Sequence, residues 1–181
     1  MRVACGTKSV SFQRHGSYDE LQSFLAEAQH HVVLGIDSVG YFGGFMSLDI
    51  RDELTGEVAR VGIVVETEHP LPQLVCSVRG DYLAVGFNRT VAFLRGWPPA
   101  AKEHGLDCCF YFFIPVGDLL IAVHELGCVA FETDTGDRRW RISTDVIQSI
   151  QMWGNYLIIR DAQNMVRRLD IESGAEQGVP G

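Results

Sequence analysis

Three apolar stretches of this chain break at the same internal place, and the break sets a period. Val78-Arg79-Gly80-Asp81-Tyr82-Leu83-Ala84-Val85, Pro115-Val116-Gly117-Asp118-Leu119-Leu120-Ile121-Ala122 and Met152-Trp153-Gly154-Asn155-Tyr156-Leu157-Ile158-Ile159 align without gaps, and Gly80, Gly117 and Gly154 recur every 37 residues. Gly followed by Asp or Asn tolerates positive φ. Between apolar, β-branched and aromatic runs it predicts a tight β-hairpin, hence two strands per repeat. A third strand follows at residues 90–94, 128–132 and 165–170. Beyond it the turns Thr133-Asp134-Thr135-Gly136 and Ile171-Glu172-Ser173-Gly174 put Gly136 and Gly174 38 residues apart, so the period holds at a second position.

An imperfect earlier copy precedes these. Residues 31–37 resemble 155–161, Ser47-Leu48-Asp49 with Leu54-Thr55-Gly56 resembles the later third strand and turn, and residues 57–65 would be its outer strand. The pattern predicts an all-β fold. It is a propeller-like meander of roughly three and a half to four blades, each of three or four short strands. One helix interrupts it. Leu21, Phe24, Leu25 and Ala28 fall at i, i+3, i+4 and i+7, and Ser17 with Glu20 makes a capping box, so a helix is predicted from Tyr18 to about His31, covering a sheet edge or one mouth of the assembly. His30-His31 would close it at the negative end of the helix dipole. The expected division is an N-terminal strand and helix over residues 1–30, then a single repeat domain over 31–181.

Two places depart from the repeat. Residues 96–105 carry adjacent Pro98 and Pro99, which remove donors from a ladder, so the second unit is expected to lack its outer strand. The tail, residues 175–181, is too short to supply one for the last unit. Residues 9–12 could fill that gap and join the chain ends in one blade.

Composition narrows function more than fold. The 181 residues are 46% hydrophobic and carry a net charge of −8, which argues against gripping nucleic acid and favours steering a basic protein partner. The N-terminus lacks the apolar core of a signal peptide, and no run reaches the roughly 18 residues of a membrane span, so a cytoplasmic location with no membrane association is expected. Five cysteines, an odd number, argue against a disulfide framework.

Residues 130–140, Ala-Phe-Glu-Thr-Asp-Thr-Gly-Asp-Arg-Arg-Trp, resemble the repeat of pyrroloquinoline-quinone-type (quinoprotein-type) β-propellers. In that family a small residue and an Asp end the third strand, Thr-Gly makes the turn, and a Trp after three further residues packs between blades. Ala130, Thr135, Gly136 and Trp140 match, with Glu132 in place of Asp. The last repeat keeps Asp170 and Gly174 but has Gly178 at the Trp position, and the first keeps Asp49, Thr55 and Gly56 with Arg60 there. The resemblance, over roughly residues 32–174, implies blades and does not extend to a quinone; no cofactor is expected. A chain this short implies either a small closed ring or an open arc, which a partner or a second copy in a homodimer would complete.

No catalytic constellation emerges. There is no Gly-x-Ser-x-Gly elbow, and Gly40-Tyr41-Phe42-Gly43-Gly44 reads as a turn with no helix behind it. Arg138-Arg139 and Arg167-Arg168 read as charged sheet faces, because alternation points one of each pair outward. The run Phe110-Tyr111-Phe112-Phe113 suits a strand buried on both faces. Adjacent cysteines like Cys108-Cys109 occur near the cofactor of some quinone dehydrogenases, but two small buried hydrophobes opening the strand Phe110 to Ile114 is the favoured reading. No metal site is assigned. His104 with Cys108, and His124 with Cys128 20 residues later, are the groups that could close a tetrahedral one, but their spacing is not that of a known zinc module. The sequence therefore predicts a non-catalytic binding or scaffold module, of protein-interaction, inhibitor or immunity type. The competing reading is a small metal- or cofactor-binding enzyme on the same scaffold.

Overall fold

A computed structural model describes residues 2–35, 43–66 and 71–177. Within it the chain forms two compact units, Met1–Gly105 and Leu106–Gly181. The first opens with β1 (Arg2–Cys5), β2 (Lys8–His15), α1 (Tyr18–Ala26), β3 (His30–Leu34), β4 (Gly44–Asp52) and β5 (Val58–Val65), whose strands form one sheet in the order β1-β2-β4-β5-β3. Its second sheet is β6 (Gln73–Cys76), β7 (Tyr82–Phe87), β8 (Thr90–Arg95) and β9 (Ala100–Gly105). In the second unit one sheet is β10 (Phe110–Val116), β11 (Leu119–His124), β12 (Gly127–Glu132) and β13 (Arg138–Ser143). The other is β14 (Ile147–Trp153), β15 (Tyr156–Asp161), β16 (Val166–Asp170) and β17 (Glu176–Gln177). The fold is all-β with one helix among the described residues, and that helix is not long and apolar enough to cross a membrane.

The repeat is visible atom by atom at the turn after the third strand. Gly56, Gly136 and Gly174 each donate their N–H over 2.8 Å to the carbonyl four residues back, on Asp52, Glu132 and Asp170. The hydroxyls of Thr55, Thr135 and Ser173 each accept the N–H two residues on, from Glu57, Asp137 and Ala175. Asp52 is thus the turn acid of the first copy. Asp49, matched from sequence, instead pairs with Arg60 across β4 and β5. Gly117-Asp118 and Gly154-Asn155 form two-residue hairpins, while Gly80 sits in a wider turn over residues 77–81. A Cβ on Gly80 would lie 2.5 Å from the Cys5 carbonyl, so this turn packs closely against the β1–β2 turn and admits only glycine there.

The first sheet departs most from expectation. Residues 31–34 do not copy a second blade strand: β3 lies outermost and parallel to β5, so β5 is not the outer strand. A parallel addition requires a crossover, and α1 between β2 and β3 supplies it. The helix ends at Ala26, which leaves His30 and His31 on β3 rather than at its terminus, and it covers a sheet face rather than an edge. Ser17 caps it by accepting the Glu20 N–H at 3.1 Å, and Glu20 reaches back to the Gly16 N–H at 2.7 Å. Leu21, Leu25, Tyr18 and Phe24 pack on Val64, Val33 and Phe45, and Gly62 admits the helix because any Cβ there would lie 2.9 Å from Leu25.

Strands 1 and 2 belong to this same sheet, so no boundary falls at residue 30. Residues 9–12 sit in β2, between β1 and β4, and do not complete the fourth sheet; the two-residue β17 does that. Nor does the second sheet lack its outer strand. Pro98 and Pro99 fall in a turn where no ladder donor is needed, and the chain rejoins β8 at Ala100. Ile36, Asp37, residues 40–42 of the glycine-rich segment and Gly178 lie outside the described residues.

Each unit encloses a core between its two sheets. Met46, Leu48, Val61 and Ile63 meet Val85, Phe87 and Leu94 in the first. Leu119, Ile121, Val123, Cys128 and Ala130 meet Leu157, Ile159 and Leu169 in the second. Trp140 lies in this second core with its indole N–H donated to the Ile171 carbonyl at 2.8 Å, and Gly174 abuts the ring.

Candidate functional site

The four residues singled out as metal ligands do not converge. His104 is on β9 of the first unit, with its ring edge-on to Phe93. Cys128 pairs with Val123 on the face of β11 and β12 that enters the second unit's core, and burial pushes its thiol up to about 12. His124 is one residue on from Val123 along β11, so alternation turns it to the other face. It is wholly buried, its Nδ1 accepts the Leu126 N–H at 3.3 Å, and burial holds its pKa below the ordinary histidine value.

Two other groupings emerge. The first is Cys108, Cys109 and Glu125, whose donor atoms all lie within 4.8 Å of one another. The second is a face of the fourth sheet. Across β14, β15 and β16 the register pairs Trp153 with Tyr156, Ile158 with Arg168, and Arg160 with Val166, which places all six on one side. The Arg168 guanidinium stacks 3.6 Å from the Tyr156 ring centre and 5.7 Å from that of Trp153. Trp153 is 70% exposed, and Val166 is also exposed.

Comparison with the third sheet shows what this face replaces. Counting from Gly117 and Gly154, and from Gly136 and Gly174, Val123 corresponds to Arg160, Cys128 to Val166 and Ala130 to Arg168. In the third sheet those side chains pack into the unit's core; in the fourth, two have become arginines. Arg167, on the opposite side, meets Glu176 at 3.8 Å. Among the described residues neither Arg160 nor Arg168 meets a carboxylate, and the buried Nε of Arg168 has no hydrogen-bond partner.

No family model matches this chain. Nor does any curated protein. Among solved structures it is similar to Sqt1 of Saccharomyces cerevisiae, at 11% identity and a TM-score of 0.48, over 75% of this chain and 44% of that one. It is also similar to the computationally designed Ika8 protein, at 11% identity and a TM-score of 0.47, over 98% of this chain and 59% of that one. The chain spans about half the length of these structures.

The first unit also holds an apolar cleft of ≈ 520 Å³, lined by Val3, Val10, Phe12, Leu71, Leu74 and Leu83 among others, with Cys76 as its one ionisable group among the described residues. Nothing local in the sequence marks Glu125, Trp153, Tyr156 or Arg160, and Arg168 reads there as part of a charged sheet face. The signal for the arginine face was in the repeat itself, where register-matched positions change from Val and Ala to Arg. Glu125 carried no such signal, because only the β10–β11 pairing brings it beside Cys108.

Proposed function

We propose that this chain is a non-catalytic, protein-binding module built from propeller-type blades, and that the fourth sheet docks an acidic segment of its partner on the face formed by Trp153, Tyr156, Arg160 and Arg168. Blade character is supported by four-stranded antiparallel meanders recurring at a fixed interval and sharing inter-sheet cores. The observation that carries the docking site is the pair of arginines without carboxylate partners among the described residues, one over the Tyr156 ring beside an exposed Trp153, where the preceding sheet is apolar. Trp, Tyr and Arg are the side chains that dominate binding energy at protein interfaces. A guanidinium over an aromatic ring still offers its terminal N–H groups for contact with a carboxylate.

The net charge of −8 steers basic surfaces toward the molecule at long range. Such steering fades beyond a screening length of about 8 Å at physiological salt, so the local arginines decide what docks here.

Two peptides of equal length, one of Glu and Leu and one of Lys and Leu, test this through Trp emission in a Trp97→Phe background, since of the two tryptophans that remain Trp140 is buried and Trp153 is exposed. The acidic peptide should perturb the emission, less so as salt rises, and Arg168→Ala should weaken it by about tenfold or more. Preference for the basic peptide, or indifference to Arg168→Ala, would refute the assignment.

A further inference from the structure

We infer that Cys108, Cys109 and Glu125 form a binding site for one thiophilic divalent cation of the zinc class. The site differs from the one the sequence suggested, since it keeps only Cys108 of that set. The Cys108 thiol donates to Glu125 Oε2 at 2.7 Å, and all three donor atoms already lie within 4.8 Å of one another. Ligands about 2.3 Å from a tetrahedral zinc through sulfur, and about 2.0–2.2 Å through oxygen, require small movements from that arrangement.

The backbone beneath the site is held on both sides. The Glu125 N–H donates to the Cys109 carbonyl at 3.0 Å, and its own carbonyl accepts the Ile147 N–H at 2.9 Å. Asp107, one residue before Cys108, is ion-paired with Arg141. Cys109 is exposed and the other two are half-buried, so an ion can enter from solvent.

The surroundings of Cys108 disfavour a bare thiolate there. The hydrogen bond to Glu125 and burial raise the Cys108 thiol above its ordinary value, and burial followed by Glu125 and the two thiols raises the Tyr111 phenol. Three negative groups this close repel one another, and a dication removes the penalty. As each metal–sulfur bond forms, the thiol proton leaves to solvent, so binding releases about two protons per ion. Two thiolates and one carboxylate leave a fourth position for water, the arrangement of an open zinc site. Soft sulfur donors select zinc over magnesium or calcium.

Cobalt(II) is the probe, titrated into phosphine-reduced, oxygen-free protein while thiolate-to-cobalt charge-transfer absorbance is followed and zinc is used to displace it. The expected result is saturation at one equivalent, with proton release measured in weak buffer. The band should be lost in Cys108→Ser and in Cys109→Ser, whose exposed position keeps the fold intact. Glu125→Gln should keep the band but lower zinc affinity by at least the roughly tenfold that even an outer-shell change costs. Cys5→Ser and Cys76→Ser should leave it unchanged. Absence of the band at one equivalent, its survival without Cys108 and Cys109, or its dependence on Cys5 and Cys76 would each overturn the assignment.

Discussion

At the residue scale, His124 and Gly174 show how the repeat constrains side-chain chemistry. His124 and Asp161 occupy matching positions at the ends of β11 and β15, and each accepts the N–H two residues on, from Leu126 and Gln163. Because His124 accepts through Nδ1, its proton is on Nε2; protonating Nδ1 would break the turn bond inside the core. Burial lowers its pKa, and that of buried His15 beside Ser47, so the folded chain binds fewer protons than the unfolded one below the ordinary histidine value of about 6.5. The stabilisation is therefore complete above that value and is lost as pH falls through the folded pKa values. Urea unfolding should give lower stability at pH 5 than at pH 7.5, and His124→Asn, which keeps an acceptor that does not titrate, should reduce the difference to the His15 contribution. Gly174 makes a sharper steric point. Its φ is +69° and a Cβ would lie 2.8 Å from the Trp140 ring, whereas Gly154 at +57° faces open space. Gly154→Ala should cost about 1–2 kcal/mol, from backbone strain alone. Gly174→Ala should cost about 1–3 kcal/mol more, as the ring is displaced from the core; paired thermal melts would resolve the order.

At the element scale, α1 was legible as a capped amphipathic helix, but where it docks was not. Ser17, Glu20, Leu21 and Leu25 announce it locally. Its docking depends on Gly62 and Arg60, about 36 residues on, where nothing in the helix itself points. Arg60 stands where the third sheet has Trp140. Instead of filling an inter-sheet core, it lies 3.8 Å from the Phe24 ring centre, donates to the Phe24 carbonyl and pairs with Glu27 and Asp49. The same limit explains β3 and β9. A single repeat pattern could not signal a parallel strand reached through a crossover, and two prolines masked a strand that begins directly after them. Arg60→Ala should leave the sheet intact and loosen the helix, so amide hydrogen exchange in residues 18–26 should rise while that in β4 and β5 stays protected. Ser17→Ala should lower stability by about 1 kcal/mol in chemical unfolding, as loss of a cap does.

At the scale of the whole molecule, a sheet face left uncovered by another sheet must not recruit one. Repeat arrays achieve this with terminal units whose outer surface is polar, since an apolar one recruits another copy. Here one face of the first sheet carries α1, and one face of the fourth carries Arg160 and Arg168 where the third sheet has Val123 and Ala130. A face of that kind offers no apolar surface for a second copy, so it predicts that the fourth sheet does not pair with itself. The argument can be run backwards. Arg160→Val with Arg168→Ala gives the fourth sheet the side chains that the third uses to hold its neighbour, while Trp153, Tyr156, Ile158 and Val166 remain. A contiguous apolar face of that kind is an association surface. Light scattering across a concentration series should give a monomer for the natural sequence, and a concentration-dependent rise in mass for the double variant with unchanged far-ultraviolet circular dichroism. A natural chain that is already dimeric, or a double variant that stays monomeric, would mean that the arginines are not what keeps this face from associating.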